Sequence, residues 1–232
     1  MSHPRIPFLK RIHLFAPLPE ASLERIAEIV GLQRFSDHGF LFREGEEPDF
    51  IYCFIEGGVV LVGGAGAQEA VIEFFGPGES VLLPAALLGL PYLVSARATS
   101  DGQALLIPAG KFRTLIDEDV ALAAQCAREL SKHWRVLINQ LKEIKTQGAA
   151  ERLAHFLIGQ AEKTEGSAVL VLPGMKKEVA TRLGIKPETL SRTLRKLRDY
   201  GVETDGDMIR IASLERLASI ANPAAIRENG GR

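Results

Sequence analysis

The sequence predicts an α+β chain: a strand-rich first half, a long helix, then a smaller helical domain that carries a hairpin. Three observations predict it. Between residues 35 and 108, short runs of β-formers are separated by glycines. After Pro108 the strand texture stops, and an apolar residue recurs every 3 or 4 positions for three heptads. Further on, two short helical patterns flank Gly184 and are followed by Asp205-Gly206.

The elements follow in order. Residues 14–30, LFAPLPEASLERIAEIV, read as an amphipathic helix, with Leu23, Ile26, Ala27 and Val30 at helical spacing and Ser22 as N-cap. The runs FLF, FIYCFI, VVLV, AVIEFF and ALLIP come next, punctuated at Gly45, Gly57-Gly58, Gly63-Gly64 and Gly76-Pro77-Gly78. Short strands at such spacing predict a sandwich, roll or barrel. Ala123, Ala127, Leu130, Trp134, Leu137, Leu141 and Ile144 then keep a 3.5-residue period, the seam of a two-helix coiled coil. The competing reading packs this helix on its own β-domain, and Trp134, unusual in a seam, is the residue that reading would use. Residues 150–163 are helical in pattern and 168–173 form a short strand. Residues 176–183 and 187–198 are two helices joined by 184–186. Residues 203–211 read as a hairpin whose Asp205-Gly206 favours a type I′ turn, and a last helix begins near Ser213.

Composition narrows the function classes. The 232 residues are 46% hydrophobic and 25% charged, the balance of a soluble globular protein with a real core. The two cysteines, Cys53 and Cys126, support neither a disulfide framework nor a four-cysteine zinc site, so reduced thiols in a cytoplasm are expected. The basic amino end is followed by no apolar signal region, and VLLPAALLGLPYLV, 14 residues with two prolines, is too short to span a bilayer. There is no Gly-Lys-Ser/Thr phosphate loop, metal-spaced His/Glu motif or Gly-x-Ser-x-Gly, so no enzyme is expected. Asp117-Glu118-Asp119 precede a helix, whose dipole favours negative charge there, and read as caps.

Charge is concentrated in one place. Residues 173–200 hold eight basic and three acidic side chains, +5 in a chain of net −1, leaving −6 elsewhere. A basic lobe on an acidic body points to a polyanion. The two helices around Gly184 have helix-turn-helix spacing, with small Ala180 where they approach and Leu190 closing the pair. Pro187 opens the second helix, where its missing N–H is harmless. Leu190, Leu194 and Leu197 form the inward stripe, and Glu188, Ser191, Arg192 and Arg195 fall opposite. Glu188 can accept from a cytosine amino group, Arg192 can pair with guanine, and Ser191 is small enough for close groove contact. Lys176, Lys186, Thr189, Arg195 and Lys196 are expected on phosphates, which position without specifying. The plainer alternative is a surface ion pair between Glu188 and Arg192, worth about 0.2–0.5 kcal/mol.

KKEVATRLGIKPETLSRTLRKLRDYGV resembles the helix-turn-helix of the CRP/FNR superfamily of bacterial transcription regulators, with Glu188, Ser191 and Arg192 matching its E-T-x-S-R motif. The motif is most similar to the FNR/DNR-type branch, whose sites carry TTGA-like palindromic half-sites. FREGEEPDFIYCFIEGGVVLV looks like the first half of the family's β-roll, and the heptad helix like its dimerisation helix. The resemblance implies three parts: a cyclic-nucleotide-binding-like β-roll sensor (1–118), a dimerisation helix (119–147) and a winged helix-turn-helix (148–232). In the dimerisation helix Ala127, Leu130, Trp134, Leu137, Leu141 and Ile144 would carry the contact. It further implies a homodimer in the cytoplasm with double-stranded DNA and RNA polymerase as partners. The alternatives are a ligand-binding signalling module with a protein partner, from another class, and a cyclic-nucleotide-responsive regulator.

Family members that bind cyclic nucleotides use a glycine-glutamate pair and a later arginine. Here those positions fall at Leu82 and Leu83, and at Tyr92 or Leu93, while Arg97 lies past the expected place. A cyclic phosphate buried against leucines without a cationic partner is expensive, so cyclic AMP is not expected. Leu82, Leu83, Leu87, Leu88, Tyr92 and Val94 read instead as an apolar effector pocket, either collapsed or open to an apolar effector such as haem. The stretch PYLVSARA is similar to DNR-type regulators, haem-dependent nitric oxide sensors. Axial ligands would come from His13, His38, Cys53 or His133, none of which has diagnostic spacing, and no other metal site is predicted. The FNR-type amino-terminal cysteine cluster is absent.

Overall fold

The computed structural model describes residues 3–64, 66, 69–81, 83–161, 167–173 and 175–221. It divides into two compact units, Met1–Val136 and Leu137–Arg232. The boundary lies within the long helix rather than on either side of it.

The first unit opens with α1 (Ile6–Leu9) and α2 (Glu20–Ile29). Strands β1 (Gly31–Phe35), β2 (Phe40–Phe42), β3 (Phe50–Glu56), β4 (Val59–Gly63), β5 (Ala70–Phe75) and β6 (Ser80–Val81) follow. After α3 (Leu83–Leu88) come β7 (Ser95–Ala98) and β8 (Gly102–Pro108), then α4 (Ala109–Glu118). The strands form two antiparallel four-stranded sheets, ordered β1-β8-β3-β6 and β2-β7-β4-β5. All five expected β-runs are strands.

The chain alternates across β3. Ile51, Cys53 and Ile55 join Leu105 and Ile107 of β8 in a core against α2, α4 and the N-terminal segment. Tyr52 and Phe54 point the other way, into a second core with Phe42, Val59, Tyr92 and Ala96. Period-2 burial on both faces is what a strand between two apolar layers requires. Gly57 closes the β3–β4 turn at φ +83°, where an added Cβ would lie 2.6 Å from the Asp101 carbonyl oxygen, so only glycine fits.

Helix α2 is shorter than the helix expected over residues 14–30. It starts behind Pro19, and Ser22 lies buried inside it rather than capping it. The Ser22 side chain instead bonds the Asp119 carboxyl. Asp119 Oδ1 also accepts from the Leu122 amide at 3.0 Å and so caps α5 (Val120–Thr146); of the acidic trio it alone caps, since Asp117 and Glu118 belong to the last turn of α4. Glu118 pairs with Arg25 of α2. At its start α5 buries Leu122 and Cys126 in the core of the first unit, with Leu130 packed against it.

The second unit holds the rest of α5, then α6 (Ala149–Ala161), β9 (Ala168–Val171), α7 (Lys176–Arg182) and α8 (Pro187–Leu197). A 3-10 turn at Arg198–Tyr200 leads to β10 (Val202–Asp205), β11 (Met208–Ile211) and α9 (Leu214–Ala221). Lys163, expected at the end of the helix here called α6, lies outside the described residues. The hairpin forms one residue later than expected. Asp205 pairs with Met208, so the loop is Gly206-Asp207, and φ is positive only at Gly206, +59°. That is the II′ pattern rather than I′, because glycine occupies the first central position. β9 completes a three-stranded sheet, β10-β11-β9. Among the described residues no helix is long and apolar enough to cross a membrane.

Candidate nucleic-acid interface

Within the second unit, α7 ends in a Schellman motif. The Ile185 amide donates to Ala180 O and the Gly184 amide to Thr181 O, both at 3.0 Å, with Gly184 left-handed at φ +64°. The chain then turns into α8 through Lys186 as N-cap and Pro187 at the first turn. Ala180 is fully buried where close approach was expected. The N-terminus of α7 is closed by Glu178, whose carboxylate accepts from the Met175 amide at 2.9 Å.

Helix α8 has two distinct faces. Leu190, Leu194 and Leu197 are buried, as expected, and the core face also takes Thr193, whose hydroxyl donates to Thr189 O at 2.7 Å. Sequence reasoning missed Thr193, since a threonine at this spacing is apolar on one side and satisfied by its own helix on the other. Glu188, Ser191, Arg192 and Arg195 are exposed together, along with Lys186 and Lys196. Thr189 and Lys176 are half-buried at the margin. Among the described residues, Glu188 and Arg192 form no ion pair with each other. The plainer explanation of their spacing therefore does not hold, and both heads face solvent with their hydrogen-bonding capacity open.

Helix α5 bears a second unpartnered surface. Trp134 is 66% exposed, so it does not pack on the β-domain. Leu137, Leu141 and Ile144 are 49–51% exposed along the heptad face, and Ala127 is also exposed. Leu130 is half-buried, because this end of the helix leans on the core of its own unit.

Among the described residues, those named for the expected effector pocket do not come together. Leu82 and the side chain of Leu83 lie outside the described residues. Leu87 packs toward the helical core, Leu88 is exposed, and Val94 is half-buried near Gly63 of β4. Of the described ones, Tyr92 alone enters the interior of the roll, its ring 4.3 Å from Phe42, which in turn lies 5.4 Å from Tyr52. The Tyr92 hydroxyl donates to Phe50 O at 3.2 Å and that of Tyr52 to Leu41 O at 3.1 Å. Burial pushes both phenols up, so they act as neutral donors. The residues were misplaced together because an apolar run reads alike whether its side chains converge or diverge around a helix. Arg97 lies opposite Ala96 on β7, in register with Val60, and pairs with Glu69 at 3.2 Å. It therefore points away from the interior core that contains Ala96.

The four candidate haem ligands do not meet. His13 and His38 are exposed, Cys53 is fully buried in the helical core with its thiol pushed up by burial, and His133 stands edge-on to Phe75. The described residues hold no group of three metal-binding side chains, and no haem ligation is assigned to these four.

Comparison with known proteins agrees with this architecture. Residues 32–119 match the cyclic nucleotide-binding domain, and residues 151–220 match the Crp-like helix-turn-helix domain. The nitrogen fixation regulation protein FixK of Rhizobium meliloti is 36% identical over 81 residues, 34% of this chain and 38% of that one. The transcriptional activatory protein AadR of Rhodopseudomonas palustris is 26% identical over 211 residues, 88% of this chain and 86% of that one. The structure of FixK2 from Bradyrhizobium japonicum shares the fold at a TM-score of 0.75, with 19% identity over 83% of this chain and 97% of that one. The matched domains and these relatives are those of regulators, not of an enzyme. The chain thus carries a cyclic nucleotide-binding domain followed by a Crp-like helix-turn-helix domain, the make-up of a CRP/FNR-type transcription regulator.

Proposed function

We propose that the protein acts as a homodimer whose two α8 helices read a palindromic DNA site. The observation that carries this reading is the exposed, unpaired set Glu188, Ser191 and Arg192 on α8. Glu188 and Arg192 contact base edges and Ser191 lets the helix approach the groove floor, while Lys176, Lys186, Thr189, Arg195 and Lys196 hold phosphates. The two protomers join through the α5 face of Leu137, Leu141 and Ile144, which is half-bare in the single chain. A two-fold pair sets its recognition helices about one DNA turn apart.

Control comes from an effector acting on the β-roll, by shifting the balance between DNA-competent and incompetent arrangements. Cyclic AMP is not the effector this reading favours: the described interior of the roll is filled by aromatic rings, Tyr92 among them, and Arg97 faces away from that interior and pairs with Glu69. The regulator works in the cytoplasm and acts on transcription through RNA polymerase.

The test is a binding titration on a palindrome with TTGA-like half-sites. Arg192→Ala weakens specific binding by about 1–3 kcal/mol and relaxes preference at one base position. Binding by the wild type falls steeply with salt. Unchanged operator affinity in the variant, or salt-independent binding, refutes the assignment and favours a protein-binding module.

A further inference from the structure

We propose that Arg152 is a positioning residue that sets the spacing between the two DNA half-sites. It is not part of the reading face. It sits on α6, and its guanidinium holds two carbonyl groups from different elements. Nε donates to Leu183 O at 2.9 Å, and Nη1 donates to Gln147 O.

Both acceptors are helix ends. Leu183 is the C-cap of α7, directly before the Gly184 turn that feeds α8. Gln147 follows the last residue of α5, and its amide still bonds Glu143 O at 2.9 Å. The last carbonyls of a helix lack intrahelical partners and carry the negative end of its dipole. One cation placed between two such ends satisfies both. A guanidinium is planar and rigid, so it fixes the distance and angle between the groups it joins, as a flexible ammonium does not.

The surroundings make this contact decisive. Gln147 and Gly148 form a two-residue break between α5 and α6. The Gly148 amide is held by Glu151 at 2.7 Å, which closes the start of α6 but does not fix α5. Among the described residues the Gln147 side-chain oxygen is buried without a hydrogen-bond partner. The backbone carbonyl on Arg152 is a directed polar link from the end of α5 to the turn that aims α8.

This inference rests on the dimeric reading above. If α5 joins the protomers, the angle at the break decides how far apart the two α8 helices stand. The experiment measures binding to a series of palindromes that share half-sites and differ by one or two base pairs in the spacer. The wild type prefers one spacing. Arg152→Gln loses about tenfold of that preference, the size expected for one charge-assisted hydrogen bond, while its base preference within a half-site is kept. Arg152→Lys, which keeps the charge without the fork, loses part of it, and it carries the test should the Gln variant not fold. Arg192→Ala does the reverse, losing base preference and keeping the spacing preference. A wild type indifferent to spacing overturns the dimeric reading and this inference together. A wild type with a spacing preference that the folded Arg152 variants retain in full overturns this inference alone.

Discussion

Leu141→Ala tests the bare face of α5 most directly. The residue is 49% exposed in the single chain, so about half of its surface is left for a partner to cover. Burying a whole leucine side chain contributes about 1.5–3 kcal/mol. Half of that is about 0.7–1.5 kcal/mol per protomer, and a two-fold interface loses it twice, about 1.5–3 kcal/mol per dimer. At about 1.4 kcal/mol per tenfold, the dimer dissociation constant rises by about 10- to 100-fold. Alanine keeps the Cβ, which puts the expected value toward the lower end. Sedimentation velocity over a dilution series from micromolar protein downward reads this shift. The folded chain itself should be little affected, since Leu141 is half exposed and is not among the buried core residues described. A wild type that sediments as a single chain throughout refutes the reasoning, and so does a variant that dissociates at the wild-type concentration.

Three further outcomes are expected. Gly184→Ala destabilises the second unit by about 1 kcal/mol in a urea melt, because φ is +64° there while an added Cβ meets nothing within 4 Å, so conformation is the whole cost. The Ser22 hydroxyl, then the Leu122 and Ala121 amides and Arg25, hold the Asp119 carboxyl below its usual range against some desolvation. The stability it contributes is present above the ordinary aspartate value of about 3.9 and is lost as pH falls through the folded value; Asp119→Asn therefore lowers the thermal midpoint at neutral pH and leaves it unchanged near pH 2. Glu79 has the opposite sign: burial raises it, despite the Gly76 amide bond at 2.7 Å, so the folded state disfavours its charge. Rising pH costs the wild type stability that Glu79→Gln keeps, so the gap between their thermal midpoints widens upward from about pH 4.3.

What was legible in the sequence follows the physics of each signal. The α8 faces were readable because Leu190, Leu194 and Leu197 repeat at helical period and the residues opposite are all polar or charged. Gly184 was readable because a left-handed turn demands it. The β-runs were readable from their glycine punctuation, but β1, β6 and β7 were not, since GLQRF, SV and SARA have too few β-formers to stand out. Helices α3 and α4 were missed for another reason: the Leu-Ala runs and Pro108 gave texture without a clear period. Ser22 was read as the cap of α2, but its side chain bonds Asp119, nearly a hundred positions away in sequence. No local pattern could show that partner. The effector-pocket residues that are described, Leu87, Leu88, Tyr92 and Val94, were opaque for a similar reason, because apolar side chains in one run do not reveal which way each will turn.

Strand β3 has apolar neighbours on both sides, and it is only one peptide thick. Phe54 touches the aromatic filling of the roll, while Cys53 and Ile55, adjacent in the chain, touch the layer that holds Leu122 and Cys126. Close-packed matter has little slack. A molecule that forced the rings of Phe42 and Tyr92 apart would therefore push on this strand like a hand on a drumskin, and the recoil would be felt at the root of α5.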